Sequence, residues 1–203
     1  GGACIARSTD GGESWEPARK IYDPGGNNQT IGNQIVVLPD GTLVDFFDEI
    51  LNFRNDDGGA QFDLNLSLLR STDKGVTWLP KGRPIRPADI RALSVVTPDL
   101  GEGIRDADIL FDVAVDPVGG NLYAVWQDSR FSGFDEIAFI MSENGGFSWS
   151  TPIKVNQTPI NDYNPLRAQA FIPSVAVSSD GTVTVTYYDF RNDIDGPELA
   201  DHF

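Results

Sequence analysis

The sequence predicts an all-β protein assembled from repeated four-stranded antiparallel units, and three observations carry that expectation. A motif of the form Ser-x-Asp-x-Gly-x-x-Trp occurs at Ser8–Trp15, at Ser71–Trp78 and, with Asn144 in place of the aspartate, at Ser142–Trp149. Each copy separates two stretches of strand-like composition, which is the arrangement of a β-hairpin with a structured turn. A second unit, two β-branched and aromatic runs around a Gly-containing turn, recurs at 33–50, 109–127 and 171–189.

Taken in order, Cys4 to Ile21 reads as a hairpin turning on the first motif. Asn33 to Ile50 then forms two strands around Pro39-Asp40-Gly41, and the run LSLLR leads into the second motif. Ile109 to Gln127 turns between Asp116-Pro117 and Asn121, and IAFIM leads into the third motif. Phe171 to Asp189 turns at Ser179-Asp180-Gly181. Asn144 is a mild change, because Asn offers backbone N–H groups the same short acceptor oxygen as Asp. Each full repeat is an inner A–B hairpin followed by an outer C–D hairpin that turns on the motif. Four-stranded antiparallel units in series are blades of a β-propeller.

The motifs begin 63 and 71 residues apart, farther than the roughly 40 to 50 residues of WD40 and kelch repeats, and longer loops account for the difference. Residues 1–203 therefore read as a single partial propeller: a C–D hairpin at 1–25, blades at 31–86 and 105–156, and an A–B hairpin at 170–193. That makes three blade equivalents, whereas propellers close with about four to eight blades. The expectation is an excerpt of a larger ring, with a homodimer closing a six-bladed ring as the alternative.

Composition removes several function classes. Acidic residues number 30 against 15 basic ones, a formal charge of −15, which disfavours nucleic acid and anionic membranes as partners. Cys4 and His202 are the only residues of their types, so a disulfide framework, a thiolate or zinc cluster and a Ser-His-Asp triad are excluded within the chain. No apolar run approaches the roughly 18 residues of a membrane span, so no membrane insertion is expected, and the amino terminus lacks a signal-peptide layout.

The three motifs resemble the Asp-box, or bacterial neuraminidase repeat, of the sialidase superfamily and its non-sialidase relatives, and the resemblance covers essentially the whole chain. It implies a structural role for Ser8, Asp10, Gly12 and Trp15, for Ser71, Asp73, Gly75 and Trp78, and for Ser142, Asn144, Gly146 and Trp149: the polar side chains tie up turn backbone and the Trp packs between strands. It also implies an extracellular setting, secreted or cell-surface. Sialidases are known for three arginines that clamp the substrate carboxylate, a Tyr nucleophile with its Glu, an Asp acid/base, and a Phe-Arg-Ile-Pro segment. Here Ala170-Phe171-Ile172-Pro173 places Phe171 where that arginine belongs and follows the third motif instead of preceding the first. Tyr187 and Tyr188 alternate within a strand, so no nucleophile and no catalytic residue is assigned.

Antiparallel connectivity puts the motif turns on one face and the B–C and D–A loops on the other, where the superfamily resemblance implies that ligands bind. Asp128-Ser129-Arg130 and Asp189-Phe190-Arg191 recur at the end of strand B, with Asp48 and Arg54 as a looser equivalent. Such pairs read either as ligand contacts, Arg for carboxylate or sulfate and Asp for sugar hydroxyls, or as brackets that close a loop or link neighbouring blades. The long D–A loop from Lys81 ends in Arg105, Asp106 and Asp108, and the loop from Val155 to Ala170 offers Asp162, Tyr163 and Arg167. Arg105, Asp106, Asp108 and Arg167 are the leading ligand contacts. Acidic clusters at Asn55-Asp56-Asp57 and Asn192–Gly196 raise calcium, but neither has EF-hand spacing, so turn chemistry and no cofactor is the default. The leading function is recognition of a glycan or other extracellular polymer. A sialidase-like glycoside hydrolase completed by further blades, and a structural or protein-interaction propeller, are the alternatives.

Overall fold

The computed structural model describes residues 1–54, 60–159, 163–192 and 201–202. These are all-β apart from one 3-10 turn, every strand pairing is antiparallel, and the chain divides into two compact units, Gly1–Asp89 and Ile90–Phe203.

In the first unit β1 (Cys4–Ile5) pairs with β2 (Arg19–Lys20). A four-stranded sheet follows, in chain order: β3 (Gln29–Val37), β4 (Leu43–Arg54), β5 (Ala60–Ser71) and β6 (Ile85–Asp89). Strand alternation sorts β4 into one face with Asp45, Phe47 and Glu49 and another with Val44, Phe46 and Asp48, and all six residues are buried. The Phe47 face packs with Leu69 and Trp78 against Ala3 and Tyr22, which flank the β1–β2 hairpin, and the rings of Phe47 and Tyr22 stack with centroids 5.4 Å apart. Burial of these aromatic surfaces is the main favourable contribution to the contact.

Two carboxylates sit in this sheet without a counter-charge. Neither oxygen of the fully buried Asp48 has a hydrogen-bond partner among the described residues, and burial pushes its carboxyl up to about 8. Asp45 accepts one bond, from Asn33 Nδ2 at 3.0 Å, and burial pushes it up to about 7. Holding a proton is the lower-energy way to bury either group.

The second unit contains β7 (Phe111–Val115), β8 (Leu122–Asp128), β9 (Glu136–Ser142) and β10 (Ile153–Lys154) in one sheet, again in chain order. A 3-10 turn (Pro165–Ala168) leads to β11 (Ala170–Val177) and β12 (Val183–Asp189), to which β13 (Asp201–His202) pairs. Every residue of β8 is buried, as expected of a strand packed on both faces. Tyr123, Val125 and Ile137 of the first sheet meet Ala170, Val175 and Tyr187 of the second in the main core.

Two of the three A–B turns share one design. Asp40 Oδ1 accepts the N–H of Thr42 at 2.8 Å and Asp180 Oδ1 that of Thr182 at 3.0 Å. The glycine between them takes φ +83° at Gly41 and +86° at Gly181, a region costly for other residues. The A strands share a bulge as well, between Ile31 and Gln34 in β3 and between Phe171 and Ser174 in β11. Counted back from the turn, Gly32 (φ +69°) and Ile172 (φ +51°) occupy the same place. A β-branched residue there is a genuine conformational outlier. The Ile172 N–H is held at 3.0 Å by Oε1 of the buried Gln127.

The three motif copies close by one hydrogen-bond scheme. In the second, Ser71 Oγ donates to Asp73 Oδ1 (2.8 Å) and accepts from Gly75 N (2.8 Å), while Asp73 accepts from Thr77 N (2.8 Å) and Thr77 Oγ1 (2.7 Å). Ser8, Asp10, Gly12 and Ser14 repeat it in the first. In the third, Ser142 and Gly146 do the same, but Asn144 Nδ2 donates to Ser148 Oγ at 2.7 Å where the aspartates accept. A hydroxyl six residues after the leading Ser (Ser14, Thr77, Ser148) thus belongs to the pattern, and its ability to donate or accept is what admits Asn. The indole N–H donates to the Gly75 carbonyl from Trp78 (3.2 Å) and to that of Gly146 from Trp149 (3.1 Å). The packing expected of all three tryptophans fails for Trp15, which is 64% exposed where Trp78 is 4%. Trp78 has the β1–β2 hairpin to pack on, and Trp15 is seated on no such surface among the described residues.

These bonds hold the Asp73 carboxyl well below its ordinary range. A depressed folded pKa contributes stability above the unfolded value, near 4, and loses it as pH falls through the folded one. Asp73→Ala is expected to lower the melting temperature at pH 7. Asp73→Asn should be tolerated there, as Asn144 is, and should flatten the loss of stability between about pH 4 and 2. Thermal unfolding followed by circular dichroism across that range checks both.

Candidate functional site

Counted from the A–B turn, the seventh residues of the second strands correspond as Glu49, Asp128 and Asp189, each six positions after Leu43, Leu122 and Val183. The equivalent in the first repeat is therefore Glu49 and not Asp48, whose side chain lies on the opposite face, and the side chain of Arg54 falls outside the described residues. Each acid is fully buried and meets an arginine. Arg130 binds Asp128 through Nε (2.7 Å) and Nη2 (2.8 Å), Arg191 binds Asp189 through Nε (2.9 Å) and Nη2 (2.7 Å), and Arg86 Nε reaches Glu49 at 2.6 Å. Arg130 also lies over the Trp126 ring at 5.8 Å and Arg191 over that of Tyr187 at 6.0 Å.

The same acids accept a bond from the segment that follows the preceding outer strand: the Tyr22 hydroxyl on Glu49, Arg91 N on Asp128 at 3.3 Å and Thr158 Oγ1 on Asp189 at 2.5 Å. Burial works against the charge of Glu49, but bonds from Arg86, Tyr22 and Ser67 hold its carboxyl below the usual value. With Trp126 Nε1 (2.7 Å) and Arg130 N (2.9 Å) added, the acceptor positions of Asp128 are filled. Asp189 is filled likewise, by Thr158 and by Arg191 side chain and backbone. The bracketing geometry is thus present in both Asp-x-Arg pairs.

The other expected contacts gather around the long loop before β7. Leu93 to Ala107 is pinned from below: Leu93 N donates to Asp135 Oδ1 (2.7 Å), Val95 N to Asp106 Oδ2 (2.7 Å), Val96 N to Gln169 Oε1 (3.1 Å) and Ala107 N to Gln127 Oε1 (3.3 Å). Its apolar side chains Val95 and Ile104 pack on Phe171, Tyr188 and Phe190. Phe171, at the place of the sialidase arginine, is therefore a buried core residue. Asp135, which has no sequence motif to mark it, immediately precedes β9 and takes Gln127 Nε2 on its second oxygen at 3.2 Å.

Burial pushes the Asp135 carboxyl up to about 7; the bonds from Leu93 and Gln127 oppose the shift, and the charges of Asp106 and Asp108 add to it. Asp108 is raised by burial and by Asp106. Asp106 and Asp108, at the mouth of β7, thus act on the carboxyl of Asp135. Arg105 beside them is exposed, with no hydrogen bond or ion pair among the described residues. Arg167 sits half-buried in the 3-10 turn, Tyr163 is fully exposed, and Asp162 lies outside the described residues. So do Asn55-Asp56-Asp57 and Asp193 to Gly196, and among the described residues no acidic group is placed to hold a metal ion. The signal for Asp135 was an acid at the mouth of an apolar strand, yet only packing shows what surrounds it.

No protein-family model and no curated protein matches the chain. Among solved structures it is similar to a protein of unknown function from Dyadobacter fermentans, at 22% identity over 91% of this chain and 50% of that one, with a TM-score of 0.53. It is also similar to a Hadza microbial sialidase (17% identity, 80% of this chain and 33% of that one, TM-score 0.47) and to a thermostable family-43 glycoside hydrolase (17%, 85% and 52%, 0.44). The first likeness is one of fold, and the chain spans half the length of that protein.

If the three carboxyls are coupled, Asp135 titrates near 7 in the folded chain and Asp106→Asn lowers that midpoint. Because the folded value lies above the unfolded one, Asp135 makes stability fall as pH rises from about 4 to about 7. Side-chain carboxyl carbon shifts followed by NMR report the midpoint in both proteins. A midpoint unchanged in the variant would remove the coupling.

Proposed function

We propose that the chain is part of a β-propeller with Asp-box turns, similar to the sialidase superfamily. In this reading it recognises a glycan or other extracellular polymer through the loop end that carries Arg105, Asp106, Asp108 and Arg167. Two four-stranded antiparallel sheets in series, the thrice-repeated motif turn and the likeness of fold support the architecture. The observation that carries the ligand reading is the exposed Arg105 next to partly exposed Asp106 and Asp108 at the mouth of β7. An unpaired guanidinium suits a carboxylate or sulfate, and adjacent carboxylates accept sugar hydroxyls. Asp128, Arg130, Asp189 and Arg191 shape the strand ends from which these loops spring.

A glycoside hydrolase is the second reading, favoured by one feature: two partly exposed carboxyls, Asp106 and Asp108, beside the exposed Arg105 at the mouth of β7. A panel of neutral, uronic and sialylated oligosaccharides distinguishes the two. Binding without release of reducing sugar supports recognition, and turnover supports the enzyme. Either way Arg105→Ala and Asp108→Asn should weaken binding about tenfold or more with the melting temperature unchanged. Equal binding by these variants would sink the site.

A further inference from the structure

Charge is unevenly spread along the chain. The segment from Lys74 to Arg86 carries Lys74, Lys81, Arg83 and Arg86 and no acidic residue, in a protein with twice as many acids as bases. In the first unit a pocket of about 280 Å³ opens along this segment, walled by Arg19, Lys20 and Ile21 on one side and by Thr77, Trp78 and Lys81 on the other. No carboxylate lines it among the described residues.

The three cations are poised differently. The half-buried Arg19 donates from one guanidinium nitrogen to the Gly75 carbonyl. Lys20 forms an exposed pair with Asp23 at 2.7 Å, an interaction worth about 0–1 kcal/mol and readily exchanged for a better anion. Lys81 is exposed and makes no hydrogen bond or ion pair among the described residues, and the same holds for Arg83 just beyond. The acids close by in sequence have partners: Asp23 pairs with Lys20, Glu16 with Arg7 at 2.6 Å, and Asp73 accepts from Ser71 and Thr77. Ile21 and the half-exposed Val76 supply an apolar strip beside the charges.

We propose that this pocket binds an oxyanion, sulfate or carboxylate, borne by a small organic molecule about the size of one sugar ring. Arg19 is the preorganised contact, and Lys20 and Lys81 close on the anion as flexible point charges. The volume is near the lower end for small-molecule sites, about 300 Å³, which excludes a longer oligomer from full burial. The inference stands apart from the site around Asp135 and does not depend on it.

Titration calorimetry at low ionic strength with glucose 6-sulfate, glucuronate, glucose and inorganic sulfate tests it. Saturable binding of glucose 6-sulfate or glucuronate, absent with glucose and weakened by added salt, is the expected result. Lys81→Ala, an exposed position that cannot unfold the chain through lost packing, should weaken it about tenfold. The proposal is overturned if neither sugar anion saturates, if Lys81→Ala binds as tightly as the wild type, or if inorganic sulfate binds as well as the sugar anions.

Discussion

A buried carboxylate at the seventh residue of the second strand is the constraint around which the three larger sheets are arranged. Glu49, Asp128 and Asp189 carry no solvent exposure, so each needs a counter-charge and donors close at hand. The arginine supplies the charge, and the Tyr22 hydroxyl, the Arg91 N–H or the Thr158 hydroxyl supplies a donor from the segment after the preceding outer strand. Removing one partner of such a group costs about 3–5 kcal/mol, because the other is left charged in the interior. What the acid secures is position: the chain entering one sheet is tied to the strand end of the next within the same unit.

Strand alternation lets the same strand end serve two directions. Asp128 faces back to its arginine and to Arg91, whereas Gln127, one residue earlier, faces forward and distributes its amide between Ala107, Ile172 and Asp135. The long loop before β7 and the bulge of β11 are thereby set by one side chain. The loop's order also has an apolar part, since Val95 and Ile104 fill the space over Phe171 and Phe190. A residue strained at φ +51°, Ile172, is retained where its N–H is held by that buried amide.

Much of this was legible before any coordinates, and the reasons are local. Pro39-Asp40-Gly41 and Ser179-Asp180-Gly181 announce tight turns because an Asp acceptor and a glycine at positive φ are what such turns require. The motif spacing likewise announced three similar turns, although the hydroxyl at Ser14, Thr77 and Ser148 went unread because Ser and Thr are common in any loop. Matching repeats by their acids alone chose Asp48 over Glu49, an error of one residue that reverses the face of the strand. Counting from the turn removes it. Asp135, Gln127 and the basic pocket were not legible, because each is defined by what packs around it and not by its neighbours in sequence.

Three buried acids give the folded chain a property that its formal charge of −15 conceals. Asp45 and Asp135, with carboxyls raised to about 7, and Asp48, raised to about 8, hold protons at neutral pH that the unfolded chain releases. Folding at pH 7 is therefore coupled to the uptake of roughly two protons. The folded molecule migrates in an electric field as a less acidic protein than its composition states, and its unfolding enthalpy, read in a calorimeter, depends on the ionisation heat of the buffer that takes those protons up.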